Sequence, residues 1–431
     1  MVTTFAIQNL TDSTLVHGFV TADCGRGTID ILWSCLTAIF LSIWTVIHLP
    51  VPCFDIDRPD NFRRKVVRSR IVPSLVSLLA PELILYIALG EITVANVTKK
   101  QLEKLSIDAN ITHGFFLLMG GFCLRAPTGR CHQLRIEDIE NAVTSSNTAG
   151  EIKDVITASD SAAGIKDATT ASNTVARKKH ALSHSEEWVR EVKLIKESNI
   201  EDLARSDAVT KFFACFQGLW VLTQAITRIY QHKALSLLEV TTSAYICCAV
   251  GIYAFWWKKP QNCSAPITIT CSDEAIDELS LSAYEGQIDH WDEFPWAGRE
   301  FEGAGRAYWE VYSTLTHYCI LGLAALSLMI FGCVHLASWN SRLPSTIELW
   351  MWRGSSLYCV IYAGLFAFNS VWERSAEMRA FYYALDQITD YGLPVYVIIR
   401  IYMIVEVFIS LRALPASAFQ SVQWSSFLPH I

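Results

Sequence analysis

Residues 392–411 read GLPVYVIIRIYMIVEVFISL, an apolar run of bilayer-spanning length with Arg400 near its middle and Glu406 less than two turns further on. Ionisable groups at such depth are costly, and they face a bundle interior, a cavity or each other. A second charge stands in a matching place. Glu82 follows Pro81 near the middle of the apolar run 71–95. Equal depth predicts that Glu82 and Arg400 come within ion-pair reach. Such a pair is either a packing device that fixes helix positions or a site for a substrate or a proton. Glu82 as proton donor and Arg400 as its partner are therefore the candidate catalytic residues.

Glu406 is about 9 Å along the helix from Arg400, at 1.5 Å per residue, and faces another way. Arg353 is its expected partner. Trp352 and Tyr402, with Trp220, Tyr245, Trp350, Tyr358 and Tyr396, supply aromatic faces of the kind that line apolar cavities and stabilise cations. His113 stands beside GFFLLMGGF. Glu406, Arg353, Trp352, Tyr402 and His113 form the candidate substrate-binding set, with ordinary bundle packing as the alternative for each.

Other patterns carry less. Asp386 and Asp390 in DQITD share a helix face at i, i+4, the spacing of a Mg²⁺ or diphosphate site, and also of a solvated helix entrance. His180 and His184 in HALSH lack the further histidine boxes of a membrane oxygenase. CGRGT at 24–28 suits either an anion at a helix N-terminus or a turn and N-cap, with Thr28 or Asp30 starting the helix. No GxSxG, HExxH or Walker sequence occurs. No metal and no cofactor is implied.

These residues must be positioned by membrane-type helices. The 431 residues are 52% hydrophobic and 18% charged, against roughly 25% charged in soluble domains. Apolar runs at 29–50, 71–95, 208–230, 235–257, 312–337, 346–371 and 391–412 predict an all-α membrane protein, a polytopic transmembrane helix bundle of about seven spans, within six to eight. ITHGFFLLMGGFCL at 111–124 is short and carries three glycines. It is expected to be interfacial or re-entrant. The domain reading is a luminal or extracellular segment 1–28, a first transmembrane part 29–124, a polar loop 125–206, a main bundle 207–412 with an acidic loop 258–310, and a tail 413–431. Within the polar loop, 140–180 is expected to be disordered and 186–205 an amphipathic helix.

Arg58, Arg63, Arg64, Lys65, Arg68 and Arg70 follow the first span, so the positive-inside rule places them in the cytosol and the N-terminus outside. Asn9 then becomes an available glycosylation sequon, as do Asn96 and Asn110 if the second span crosses fully. Seven crossings leave Lys258 and Lys259 outside, against the rule. A re-entrant hairpin kinked at Pro81, or a crossing by 111–124, would return them to the cytosol and bring the C-terminus to the luminal side. Of 13 cysteines, Cys24, Cys53, Cys123, Cys131, Cys263 and Cys271 lie outside or at the edges of the spans and are the disulfide candidates. A net charge of −7 offers no basic footprint for nucleic acid.

The set CGRGTIDILWSCLTAIFLSIWTVIHLPVP, APELI, THGFFLLMGGF, FQGLW…WWKKP and VYVIIRIYMIVEVFISLRALP with the ending WSSFLPHI resembles a large group of fungal polytopic membrane proteins. The resemblance covers most of the chain outside 140–180. It implies a fungal integral membrane protein and carries over no site. The expected function is handling of an apolar small molecule, as an isoprenoid-type secondary-metabolism enzyme or accessory protein, with a transporter or receptor and a membrane scaffold as alternatives. The expected surroundings are the lipid bilayer of the endoplasmic reticulum or plasma membrane. Protein partners are not indicated.

Overall fold

A computed structural model describes residues 2–3, 14–22, 25–48, 51, 62–144, 187–204, 208–263, 265–284, 314–371 and 379–423. The described chain is mostly helical. Its helices are α1 (Thr28–Val46), α2 (Phe62–Leu79), α3 (Pro81–Lys104), α4 (Ile111–Leu118), α5 (Glu197–Leu203), α6 (Ala208–Tyr230), α7 (Leu237–Phe255), α8 (Asp273–Tyr284), α9 (Thr314–Leu336), α10 (Thr346–Val371) and α11 (Arg379–Ile409). Stretches 136–144 and 187–194 are also helical. Short strands are β1 (Val2–Thr3), β2 (Leu15–His17), β3 (Val20–Thr21), β4 (Phe122–Arg125), β5 (Cys131–Gln133), β6 (Ile267–Thr270) and β7 (Ala413–Pro415).

Four of the described helical segments are long and apolar enough to cross a membrane: Thr28–Val46, Pro81–Lys104, Leu237–Phe255 and Tyr383–Arg412. Their burial differs. In the apolar windows of α3 and α7, 72% and 78% of residues are inside, against 28% for Thr28–Val46 and Tyr383–Arg412. So α3 and α7 form the interior and α1 and α11 the perimeter. The perimeter is apolar outward. Trp33, Leu36, Phe40 and Trp44 on α1 and Ile398, Ile401, Val405 and Phe408 on α11 are all exposed at helical spacing.

The run 71–95, expected as one span, is two helices. α2 ends at Leu79, Ala80 adopts φ −146° and ψ 70°, and Pro81 opens α3. Proline suits a first helical position, where its missing N–H has no intrahelical partner to lose. By contrast α11 runs unbroken through Gly392 and Pro394. The Tyr362 hydroxyl donates to the Thr389 carbonyl at 3.1 Å and the Tyr358 hydroxyl to the Gly392 carbonyl at 2.9 Å, satisfying backbone loosened beside the proline. A Cβ on Gly392 would meet the Tyr362 ring at 2.7 Å, so the close approach needs glycine.

Two ends of the bundle can be told apart by what is bonded there. At the first, β2 pairs antiparallel with β7, in the register Leu15 with Pro415, Val16 with Leu414 and His17 with Ala413. The α6–α7 turn and the 413–420 segment meet at this end. At the second, β4 is the middle of a three-stranded sheet, antiparallel to β5 and parallel to β6. Val51 N–H donates to the Met119 carbonyl at 2.9 Å, and Gln261 Nε2 to the Thr45 carbonyl at 2.9 Å. This sheet shares a core with Val51, Leu102, Ile107, Trp188, Val192 and Ile200. The expected amphipathic helix at 186–205 is thus two helical pieces packed on the sheet; of the linker expected to be disordered, 140–144 ends a helix and 145–180 lies outside the described residues.

The 111–124 run divides between α4 and β4 and is buried in that core. Gly120, at φ 72°, makes the turn between them. Gly114 lets α4 lie on α3, where a Cβ would fall 2.3 Å from the Ala95 carbonyl oxygen. Cys123, Cys131, Cys263 and Cys271 are free thiols around the sheet. Burial pushes the Cys263 and Cys271 thiols up to about 11. Cys24 and Cys53 lie outside the described residues.

Of the seven expected spans, the described residues show four helices long and apolar enough to cross a membrane. β2 and β7, which flank the first and the last of them, pair in one small sheet.

Candidate functional site at the break between α2 and α3

A helix that stops inside a bundle leaves backbone carbonyls that need partners. At the end of α2 two side chains supply them. The Tyr245 hydroxyl, from α7, donates to the Leu78 carbonyl, and Arg400 Nε, from α11, donates to the Leu79 carbonyl. One residue past the break, Glu82 sits in the first turn of α3. Unpaired N–H groups make that turn a favourable place for an anion. One Glu82 oxygen, Oε1, accepts the Tyr396 hydroxyl of α11.

Glu82 and Arg400 are 4% and 2% exposed, and Glu82 Oε2 lies 3.7 Å from Arg400 Nη2. The two charges face each other as their depths predicted. Glu82 is in a first helical turn, however, rather than at mid-helix. Glu82 Oε2 and Arg400 Nη2 are both buried with no hydrogen-bond partner. The Arg400 guanidinium stacks 3.7 Å from the Phe331 ring centre. Phe331 meets Tyr245 edge-on at 5.4 Å and lies 4.3 Å from His335. His335 bonds the Phe331 carbonyl through Nδ1 at 2.7 Å and the Thr241 hydroxyl through Nε2 at 3.1 Å. A ladder of rings, Tyr358 to Tyr362 at 5.9 Å and Tyr362 to Tyr396 at 5.1 Å, leads along α10 and α11 to Glu82. An aromatic enclosure thus holds one acid and one base, each with a bonding position unused.

The other candidates fall elsewhere. Arg353 does not meet Glu406. It donates to the Trp339 carbonyl at 2.9 Å and lies 5.0 Å from the Trp339 and Trp350 ring centres. Glu406 is on the side of α11 that faces Glu348 and Arg412, which pair with each other. Trp352 is fully buried and donates to Ser338 Oγ at 2.7 Å. Tyr402, four residues before Glu406, is near that acid and not near Glu82. His113 has both ring nitrogens engaged, Nδ1 with Asn110 Oδ1 at 2.8 Å and Nε2 with the Ile195 carbonyl at 3.1 Å. It fastens the 187–203 segment to α4. Asn110 caps α4 by accepting the His113 N–H, and Asn96 donates to the Ile92 carbonyl within α3. The two asparagines therefore serve helices. Asn9, His180 and His184 lie outside the described residues. Asp386 accepts Asn369 Nδ2 at 2.9 Å. Among the described residues no group of three or more His, Cys, Asp or Glu could hold a metal.

Two buried ionic groups escaped the sequence reading. Arg26 of CGRGT holds an internal anion, with Nη2 at 2.6 Å from Glu239 Oε1. Thr28 starts α1 with Gly27 as its N-cap, and the Gly27 N–H donates to Asp30 Oδ2 at 2.8 Å. Glu239 Oε2 accepts the Ser236 N–H and hydroxyl, each at 2.9 Å. Arg228, 3.8 Å from the same acid, donates to the carbonyls of Ala234, Ser417, Ala418 and Gln420. Ser236-Leu-Leu-Glu239 is a capping-box pattern, the one local signal available. At the second end Lys259 pairs with Glu91, both buried, and lies 4.2 Å from the Trp256 ring centre.

No curated protein and no solved structure matches the chain. A family model does, over residues 1–294 and 316–431, omitting only a stretch that overlaps the acidic loop. The chain belongs to the family of unknown function DUF8562.

Proposed function

We propose that the protein is an integral membrane protein that handles an apolar small molecule at the Glu82–Arg400–Tyr396 site. The observation that carries this is the inverted distribution of polarity. Tryptophan, phenylalanine and isoleucine cover the outside of α1, α6 and α11, while Glu82, Arg400, Glu91, Lys259, Arg228 and Glu239 are inside. Outward apolar surface on this scale needs lipid or a partner to cover it. Ionisable groups inside such a bundle are functional candidates.

In this reading α2 enters from the sheet end, stops at Ala80 beneath the terminal strands, and α3 returns. Irregular backbone at membrane depth is tolerated where protein buries it or where it lines a cavity. A hairpin with no net crossing keeps both chain ends on one side. Lys258, and Arg63 to Arg70 at the start of α2, then gather at the sheet end, which the positive-inside rule assigns to the cytosol. Both termini are luminal or extracellular, in the endoplasmic reticulum or plasma membrane. A buried acid among aromatic side chains favours an isoprenoid-type metabolite, since a proton-initiated cyclisation needs both.

As an enzyme, the protein would use Glu82 to exchange a proton with the guest, with Arg400 as counter-ion and Tyr396 fixing the carboxyl. Transport is the second reading, favoured by the helix break, since interrupted helices at mid-depth are where transporters bind solutes. Reconstituted wild type and Glu82→Gln, assayed for turnover and for flux of prenyl substrates, separate them. Loss of turnover in the variant supports chemistry, and loss of flux without any product supports transport. Turnover and flux both unchanged in the variant would remove Glu82 from either role.

A further inference from the structure

We propose that Arg353, held between Trp339 and Trp350, binds the phosphodiester of a membrane phospholipid. The proposal rests on the integral-membrane reading above and is independent of the Glu82 site. α10 turns an apolar face outward, with Ile347, Trp350, Met351, Leu357 and Ile361 exposed at helical spacing. Arg353 stands at the margin of that face, partly buried. Its Nε donates to the Trp339 carbonyl at 2.9 Å, and Trp339 lies past the end of α9 at Leu336. Just over one turn before Arg353, Glu348 pairs with Arg412 beside β7. The Arg353 side chain therefore reaches from α10 toward the end of the bundle that holds the β2–β7 pair, as an arginine does when it carries its charge up to a membrane interface.

A guanidinium presents its donors in a planar fork, and here only Nε is used. Among the described residues no acid pairs with Arg353. Glu348 is taken by Arg412, and Glu406 faces those two residues instead. The terminal nitrogens of Arg353 are left for an outside acceptor, and phosphate oxygens match them two at a time. The guanidinium carbon lies 5.0 Å from each of the two ring centres, so its plane is already fixed. Trp339 is 38% and Trp350 62% exposed, and tryptophan is the residue type that gathers at headgroup level. One turn further along, Gly354 is exposed and a Cβ there would meet nothing within 4 Å. Trp350, Met351 and Leu357 thus border an open notch on the outer face. A dissolved phosphate would satisfy Arg353 and leave the notch empty. A phospholipid fills both, with its phosphate at Arg353 and an acyl chain along α10.

The full chain in detergent is titrated with dioleoylphosphatidylglycerol, with dioleoylglycerol, which has the same chains and no phosphate, and with inorganic phosphate. Thermal unfolding is the readout. Phosphatidylglycerol should stabilise the wild type at about tenfold lower mole fraction than dioleoylglycerol, the size of one hydrogen bond to a charged group. Inorganic phosphate should not stabilise it. The preference should vanish in Arg353→Gln and fall about threefold in Trp350→Ala, which removes one exposed ring from the cation. It should persist in Arg342→Gln, which removes the same charge from an exposed position outside the clamp. An equal response to the two lipids, or a preference unchanged in both Arg353→Gln and Trp350→Ala, would overturn the site. Equal loss in Arg342→Gln would also overturn it, because the preference would then belong to surface charge in general. Stabilisation by inorganic phosphate would overturn the lipid as occupant. A chain that stays monodisperse without detergent would remove the membrane reading itself, whatever the lipids do.

Discussion

The ion cluster around Glu239 is less deeply buried at Arg26 than the one at the α2–α3 break, and the two are finished to different degrees. Around Glu239 both carboxylate oxygens have partners, and Arg228 gives four hydrogen bonds to carbonyls while its Nε, 3.8 Å from Glu239, has none. Around Glu82 one oxygen and one guanidinium nitrogen have none. A satisfied buried network rigidifies. An unsatisfied one carries an energetic cost that a native fold keeps for a reason. The contrast lies at the acids, since Glu239 is bonded through both oxygens and Glu82 through one.

Breaking the Glu239 cluster should have the largest effect. Arg228→Ala leaves Glu239 with one cation fewer and frees four carbonyls, so a loss of about 3–5 kcal/mol is expected. Thermal unfolding in detergent would read it, together with faster proteolysis after Arg412. A loss no greater than that of Glu82→Gln would collapse the distinction between the two clusters.

Lys259→Met comes next, with a loss of about 3 kcal/mol from stranding Glu91. Combining it with Glu91→Leu should recover stability to within about 1 kcal/mol of the parent, since an apolar pair replaces a buried ionic one at little cost. Chemical denaturation of the single and double variants checks this. A double variant as unstable as the single would mean that charge itself is needed there.

Glu82→Gln should cost only about 1–3 kcal/mol, because the amide still accepts the Tyr396 hydroxyl and one bonding position was already empty. Its effect should appear in guest binding or turnover instead. The smallest expected effect concerns the sheet. Cys263 and Cys271 have folded-state values near 11 against an ordinary 9.0. Their contribution to stability is therefore complete below pH 9 and is lost as pH rises toward 11. Unfolding midpoints at pH 7, 9 and 10.5, compared between the parent and the Cys263→Ala and Cys271→Ala variants, test the sign.

Glu82 and Arg400 were legible because hydropathy makes a charge inside an apolar run conspicuous. Their common depth follows from counting residues. The hairpin was harder to read. Residues 71–95 are uninterrupted in hydropathy, and only Pro81 hints that one helix ends where another begins. Arg26, Arg228 and Glu239 are far apart in sequence, and no local rule joins them. Arg353 and Glu406 fit by depth, but helix rotation set them on different neighbours. The 111–124 run looked like membrane because a buried helix turn and a buried strand are as apolar as a span.

The pairing of β2 with β7 also sets an order of events. Arg228 and Arg26 meet the carbonyls of 417–420 only after nearly the whole chain has been made. Until then the bundle holds cations whose partners are still in the ribosome. Closure therefore waits for residues 413–420 to leave the ribosome, and a chain stopped before residue 413 lacks both the β2–β7 pairing and the carbonyls that Arg228 bonds.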